Sequence, residues 1–148
     1  ERPENLKLCV GYHKGWKTVS MLSFAWPDAY EKAQYCAEII MKKMKKLGMK
    51  ADDVHISYIG VNSLHLNVAD TSEKNMKDLN ECVMRIAVFS RDKAECAKII
   101  PEISPMQLNG PPGASFFGGR AHVQEVMALW PTYVPRDAVK TEAHILEV

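Results

Sequence analysis

One apolar stripe at helical spacing restricts the folds open to this chain more than any other feature of its sequence. Apolar side chains recur every three or four residues, at Ala29, Ala33, Cys36, Ala37, Ile40, Met44 and Leu47. This spacing places them on one face of an α-helix. Pro27 and Asp28 suit the first turn of that helix, and Gly48 suits its C-terminal stop. The sequence therefore predicts an amphipathic helix here.

The residues before this helix predict a β-hairpin. The larger apolar residues Leu6, Leu8, Val10 and Tyr12 alternate with Lys7, Cys9 and Gly11, which is the period of a half-buried strand. Lys14 and Gly15 then suit a turn, because glycine accepts a positive φ at little cost. Residues 16–24 are predicted to return as the second strand.

Three more strands and a second helix follow the first helix. Residues 54–58 alternate into a strand, and residues 82–89 are apolar at nearly every position, which indicates a central strand. Asp92, with Glu95 three residues on, suits the start of the second helix. Residues 122–134 predict a last strand, and Pro131 within it implies an edge position, a bulge or a break.

The predicted order is β-β-α-β-β-α-β, and it indicates an α+β fold. Without the first strand it is the split βαβ, ferredoxin-like arrangement. We therefore expect one domain over residues 1–148: an antiparallel sheet with two helices on one face, preceded by an extra N-terminal strand that forms a hairpin. The open sheet face would need cover from a partner subunit, another domain or a ligand. The long polar stretch over residues 62–81, with a possible short helix near residues 74–79, is of the kind that is often functional or mobile.

Charge and hydropathy exclude two classes of partner. The net charge is only +1, from 19 basic and 18 acidic residues, whereas nucleic-acid binding depends on a clustered basic excess. The lysines between residues 42 and 50 fit the solvated side of the first helix. Because no apolar run has the length of a membrane span and residues 1–5 lack a signal sequence, we expect a cytoplasmic protein without membrane or nucleic-acid partners.

The cysteines and histidines give no metal pattern. The four cysteines, at positions 9, 36, 82 and 96, form no C-x-x-C pair and are expected to be small buried hydrophobic residues. The histidines lack the spacing of metal ligands. The sequence therefore predicts no metal and no cofactor.

The segment from Asn109 to Arg120 is the first candidate site. Its glycines allow a close backbone approach, and their amides, with the forked guanidinium of Arg120, suit a small anionic ligand. The predicted ligand-binding residues are Asn109, Gly110, Gly113, Ser115, Gly118, Gly119 and Arg120. The alternative is a tight structural loop that carries Phe116 and Phe117 into a core or an interface. The segment lacks the Gly-Lys-Ser/Thr of a phosphate-binding Walker loop, and a strand follows it rather than the helix of a dinucleotide site.

A second candidate lies just beyond the strand that ends near Gly60. Asn62, Ser63 and His65 are catalytic candidates, because functional groups often follow strand ends and histidine can transfer protons. With no partner carboxylate to identify, a nucleophilic triad cannot be argued. A surface or capping role is the alternative.

Five stretches together resemble the later part of the acyclic terpene utilisation family AtuA, over roughly residues 7–136. They are Lys7-Leu8-Cys9-Val10-Gly11-Tyr12 with Gly15-Trp16, Ile59-Gly60-Val61-Asn62-Ser63-Leu64-His65, Met84-Arg85-Ile86-Ala87, Leu108-Asn109-Gly110-Pro111-Pro112-Gly113, and Leu129-Trp130-Pro131-Thr132-Tyr133-Val134-Pro135-Arg136. The resemblance implies that this chain is the C-terminal domain or a fragment of a longer protein. It also implies a role in the breakdown of acyclic terpenes and branched acids through acyl-CoA intermediates.

Two functions remain open at this point. The domain is either a component of a catabolic enzyme that helps bind a carboxylate or acyl-CoA substrate, or a non-catalytic assembly module. In the second case its partner is a second copy or the rest of the AtuA-like protein. Phe116, Phe117, Trp130 and Tyr133 would then be interface anchors.

Overall fold

Five strands, five α-helices and two short 3-10 helices form the part of the chain described by a computed structural model, residues 2–146. The strands are β1 (Asn5–Ala25), β2 (Asp53–Ile59), β3 (Glu81–Ser90), β4 (Ala114–Phe116) and β5 (Val123–Pro135). The α-helices are α1 (Ala29–Lys46), α2 (Glu73–Met76), α3 (Lys93–Ala97), α4 (Ile100–Ile103) and α5 (Met106–Asn109). The 3-10 helices cover Leu66–Val68 and Arg136–Ala138.

The chain divides into two compact units. The first holds the described residues of 1–14 and 127–148, and the second is Gly15–Val126. Strands β1 and β5 each contribute residues to both units.

The second unit contains an antiparallel sheet in the order β2-β3-β1-β4. Strand β3 pairs on one side with β1, from Trp16↔Ser90 to Ala25↔Glu81, and on the other side with β2. It is therefore the central strand that its apolar run predicts. Strand β4 is short and pairs with β1 through Leu22↔Phe116. An antiparallel sheet combined with helices confirms the α+β class.

The core of the second unit lies on one face of this sheet. Leu22 and Met84 face each other in the register of β1 and β3, and both are fully buried. The apolar stripe of α1 packs on the same cluster, which confirms the predicted amphipathic helix. Burying each large apolar side chain contributes about 1.5–3 kcal/mol. The largest fully buried side chains include Leu22, Phe24, Ile40, Met84, Ile86, Ile99 and Ile103.

The predicted N-terminal hairpin is wrong, because β1 runs without a turn from Asn5 to Ala25. Gly15 has a φ of +154°, and a Cβ there would lie 2.8 Å from the carbonyl oxygen of Ser90. The glycine allows β1 and the end of β3 to approach closely, instead of turning the chain. A glycine in the sequence is compatible with a turn and with a close approach of two backbones, so the sequence alone does not distinguish the two.

The predicted second helix forms as three short segments, α3 to α5. Asp92 caps α3 as expected, with its Oδ1 accepting a hydrogen bond of 2.8 Å from the Ala94 amide. Pro101 and Pro105 account for the breaks, since proline cannot donate within a helix and disfavours helical geometry in the residue before it. The prediction of two helices is thus corrected to one long helix and three short ones, whose apolar residues still join the core. The further helix α2 overlaps the short helix predicted near residues 74–79.

The first unit contains the ribbon of β1 residues 5–14 and β5 residues 127–135. The Arg136 amide donates to the Glu4 carbonyl at 2.9 Å, while Val10 and Tyr12 lie beside Trp130 and Thr132. Residue numbers thus fall along β5 as they rise along β1, so the two strands are antiparallel. The Nε of Arg136 also donates to the Pro3 carbonyl at 2.7 Å, which ties the two chain segments together.

Three of the four cysteines, Cys36, Cys82 and Cys96, are buried as predicted. The expectation for Cys9 is wrong, because its side chain is exposed. Cys9 lies in the two-stranded ribbon. The alternation of residue types predicts a strand there, but it does not determine whether another element packs on that strand and buries its side chains. No helix in the described residues is long and apolar enough to cross a membrane.

Candidate functional site

The first part of the Gly/Pro segment ends a helix. The amides of Asn109 and Gly110 donate to the carbonyls of Pro105 and Met106, at 2.8 and 3.1 Å. A side chain at position 110 would collide with the Met106 carbonyl oxygen. These two amides are therefore engaged by the chain's own carbonyl groups, and the glycine is needed for local packing.

Strand β4 divides the remainder of the segment. Gly113, with a φ of +79°, offers its carbonyl to the Ala25 amide at 3.3 Å. Ser115 pairs with Ser23 inside β4, and the Phe117 amide donates to the Met21 carbonyl at 3.3 Å. Three strand residues span roughly 10 Å. The predicted binding residues therefore lie at two places instead of forming one concavity.

Gly118, Gly119 and Arg120 lie together beyond β4. Both glycines have left-handed backbone conformations, with φ near +86° and +84°. Such conformations favour glycine and let the chain turn sharply. The turn brings Arg120 beside Ser20 of β1.

A cavity of about 210 Å³ lies at this point, entirely within the second unit. Its polar groups come from Ser20, Ser104 and Arg120, which lie on β1, after α4 and after β4 respectively. The rest of its wall is apolar and consists of Ile100, Pro101, Ile103, Phe116 and Ala121. The cavity thus combines a cation and two hydroxyls with an apolar wall.

Arg120 is an exposed residue, and no carboxylate of the described residues forms an ion pair with its guanidinium. Arg91 differs, because its guanidinium binds Asp52 at 2.8 Å. Arg136 differs too, since it binds a backbone carbonyl. Arg120 therefore retains a forked set of donors with the geometry that suits a carboxylate or phosphate.

Sequence reasoning missed Ser20 and Ser104 as members of this group. A signal for Ser20 exists, because the core-facing positions of β1 are otherwise mostly apolar and Ser20 interrupts them while remaining 7% exposed. A buried polar residue at such a position calls for an explanation. Ser104 lies outside any repeating pattern, and only the fold brings it to the cavity.

Asn62, Ser63 and His65 lie in the turn after β2. The Asn62 side-chain oxygen accepts a 3.1 Å hydrogen bond from the Tyr58 amide, while the Tyr58 carbonyl accepts the amides of Val61, Asn62 and Ser63. Asn62 thus caps the end of an edge strand, and His65 is exposed on the surface. Because β2 and β4 are opposite edges of the sheet, about three strand spacings or roughly 14 Å separate them. The structure does not bring this group to Arg120.

The buried thiols do not supply a nucleophile. Burial raises the pKa of Cys36 to about 12 and that of Cys82 to about 11. Both thiols stay protonated at neutral pH, and the thiolate is the reactive form. Among residues 2–146 there is also no group of three or more histidine, cysteine or acidic side chains placed to hold a metal ion.

Fold and cavity together define a mixed α+β protein with an arginine-bearing cavity of small size. The family model described as "Acyclic terpene utilisation family protein AtuA" matches residues 1–145. The chain therefore belongs to the AtuA family, which confirms the resemblance seen in its sequence motifs. Comparisons with curated proteins and with solved structures found no match.

Proposed function

We propose that this chain binds the carboxylate of a small branched acid within an AtuA protein of acyclic terpene utilisation. One observation carries the proposal: Arg120, which has no carboxylate partner among the described residues, lines a cavity with two serine hydroxyls and an apolar wall. A forked guanidinium suits the carboxylate, and the apolar wall suits a methyl-branched chain.

The size of the cavity supports a small acid over a large thioester. At about 210 Å³ it is smaller than the roughly 300–1,000 Å³ typical of sites that bury a drug-sized ligand. A short branched carboxylate fits this volume, whereas the whole of an acyl-CoA molecule does not. An acyl-CoA substrate would place only its acyl end here.

The role proposed for this chain is binding and orientation, not catalysis by the chain alone. No candidate acid or base lines the cavity beside Arg120. Asn62, Ser63 and His65 lie at the other edge of the sheet. Reacting groups would have to come from elsewhere in the catabolic enzyme.

Calorimetry and thermal unfolding with 3-methylbutanoate test the proposal. A ligand at roughly 100 times its Kd stabilises the folded state by about 2.7 kcal/mol. We expect this stabilisation in the unchanged protein and its loss in Arg120→Ala. Arg91→Gln, which alters an arginine of the same unit outside the cavity, is the matched control and should bind as the unchanged protein does.

The neutral analogue 3-methylbutanol and free coenzyme A complete this test. If the alcohol binds as tightly as the acid, the protein does not recognise the carboxylate. If Arg120→Ala leaves the affinity for the acid unchanged, the acid does not bind in the Arg120 cavity. Tighter binding of coenzyme A than of the acid would favour a thioester substrate over a free acid.

A second candidate function is assembly, and the exposed side chains of the first unit favour it. Leu129, Trp130 and Tyr133 are 73%, 63% and 75% exposed. Exposed apolar and aromatic residues are typical of interaction surfaces, and tryptophan and tyrosine are enriched there. Light scattering tests this function, because a strict monomer at high concentration would contradict self-assembly.

We propose the ferredoxin-like topology for the second unit, which the antiparallel order β2-β3-β1-β4 supports. We also propose that the protein is cytoplasmic and that this chain is its C-terminal domain. The resemblance of its motifs to the later part of the AtuA family supports the second point. The mass and fractionation of the protein detected in cells with an antibody against this chain would test both of the latter points.

A further inference from the structure

The outer edge of the ribbon in the first unit is open along β1. Residues 5–12 of β1 belong to the pairing with β5, since the register with β3 begins at Trp16 and that with β4 covers Leu22 to Phe24. In the part of the chain that the structure describes, no strand pairs with the other edge of these eight residues. Such an edge presents a row of backbone donors and acceptors to a further strand.

The two edges of the ribbon differ in their ability to accept a strand. Strand β5 contains Pro131 and ends at Pro135, and proline has no amide to donate. Residues 5–12 contain no proline. The β1 edge is therefore the one suited to continuous pairing.

The ribbon also lacks cover on its apolar side chains. Leu8, Val10 and Tyr12 are 43%, 41% and 40% exposed, and Val10 and Tyr12 share a shallow groove with Trp130. A two-stranded ribbon alone is marginally stable in water, and added strands stabilise it. The expected partner is therefore one that adds strands.

We propose that a second copy of this chain pairs with residues 6–12 of β1, edge to edge and antiparallel, about a twofold axis. Such an axis perpendicular to a sheet places one residue opposite its own symmetry mate. In the proposed register Cys9 lies opposite Cys9 of the second copy, and residues 6–12 of the two copies pair with each other. The two ribbons then form a four-stranded sheet.

This register makes the segment complementary to itself. Leu6 faces Tyr12 and Leu8 faces Val10, so that apolar side chains meet on one face of the sheet. Lys7, the charged residue of the segment, faces Gly11 and not a second lysine. Cross-strand apolar pairs are favourable, and like charges directly opposite each other are not. Recognition of a different partner strand through opposite charges would need more charged side chains than Lys7 alone, which is the one charged residue in residues 5–12.

The length of the contact sets its strength. Seven paired residues, 6–12, extend over roughly 23 Å, which gives an interface near the low end of the sizes found in specific complexes. We therefore expect a dimer that dissociates on dilution. The proposal rests on the assembly function stated above, whose partner and register it names, and it uses no residue of the Arg120 cavity.

Cysteine cross-linking with light scattering tests the proposal. Directly opposite residues in antiparallel strands have Cα atoms about 4.5–5.5 Å apart, within the range of about 4.4–6.8 Å that a disulfide needs. Diamide oxidises two Cys9 thiols to a disulfide and takes up their two hydrogens at its N=N bond. We expect a covalent dimer from the unchanged protein and none from Cys9→Ser. The other three cysteines are buried and do not compete.

A second cysteine position tests the register. Lys7→Cys in the Cys9→Ser background would face Gly11, and two copies of residue 7 would be four residues, or roughly 13 Å, apart along the strand. No cross-link is expected from it. A Leu8→Glu and Val10→Glu double variant places carboxylates opposite each other and should be monomeric. Leu64→Glu, which alters an exposed leucine of the second unit, should still dimerise.

The outcomes separate the two proposals. A monomer at all concentrations overturns both the self-assembly function and this interface. A dimer that cross-links through position 7 as fast as through Cys9, or that survives the double variant, overturns this interface and leaves self-assembly standing. Neither result bears on carboxylate binding.

Discussion

Gly15 and Ser90 approach each other so closely that a Cβ on the glycine would lie 2.8 Å from the serine carbonyl oxygen. The ring of Phe89 would be nearly as close, at 2.9 Å. Gly15→Ala should therefore lower the free energy of unfolding by about 1–3 kcal/mol, through the clash and the unfavourable positive φ. Denaturant unfolding measures the change. Gly11→Ala is the control, because a Cβ there meets nothing within 4 Å, and it should change stability by less than about 0.5 kcal/mol.

Asp52 and Arg91 predict an acid-dependent loss of stability. Hydrogen bonds from the Arg91 side chain and amide hold the pKa of Asp52 below its ordinary value of 3.8. A folded-state pKa below the unfolded value means that this stabilisation is fully present well above pH 3.8. It is lost as the pH falls from that value through the lower folded pKa. Asp52→Asn should flatten this part of the stability curve, and an unchanged acid limb would contradict the role of the pair.

Asn62 should matter for stability and not for ligand binding. Asn62→Ala removes the acceptor of the Tyr58 amide, and losing such a cap costs about 1 kcal/mol. Thermal or denaturant unfolding measures this loss. His65→Ala, an exposed neighbour, should leave both stability and 3-methylbutanoate affinity unchanged. A fall in affinity for either variant would place this turn at the ligand site after all.

Thiol labelling should distinguish one cysteine from the other three. Cys9 is exposed, whereas Cys36, Cys82 and Cys96 are buried and burial raises the pKa of each of their thiols. In dilute native protein at neutral pH, a disulfide reagent should modify one thiol quickly and the rest only after unfolding. Cys9→Ser should abolish the fast phase. Fast labelling of more than one thiol would contradict the packing of the core.

Local patterns in the sequence were enough to predict the helices and strands whose apolar residues follow a clear pattern. Helix α1 follows from its apolar stripe, and β3 follows from its continuous apolar run. Both patterns arise because a helix or strand must bury one or both of its faces. The residues on one face recur at short, regular intervals along the chain, so the pattern can be read from the sequence. The family could likewise be identified from ordered motifs, since these are read directly from residue identity.

Other features depended on contacts between residues far apart in the chain. Gly15 looks the same in a turn as beside Ser90, and only the approach of β3 decides between the two. The segment from Asn109 to Arg120 is continuous in sequence, but the pairing of β4 with β1 divides it and leaves Arg120 beside Ser20 and Ser104. Residue types and their spacing thus determined the helix, the central strand and the family, because local burial patterns encode them. The tertiary structure alone decided the cavity and the open β1 edge, because both depend on which distant strands pair.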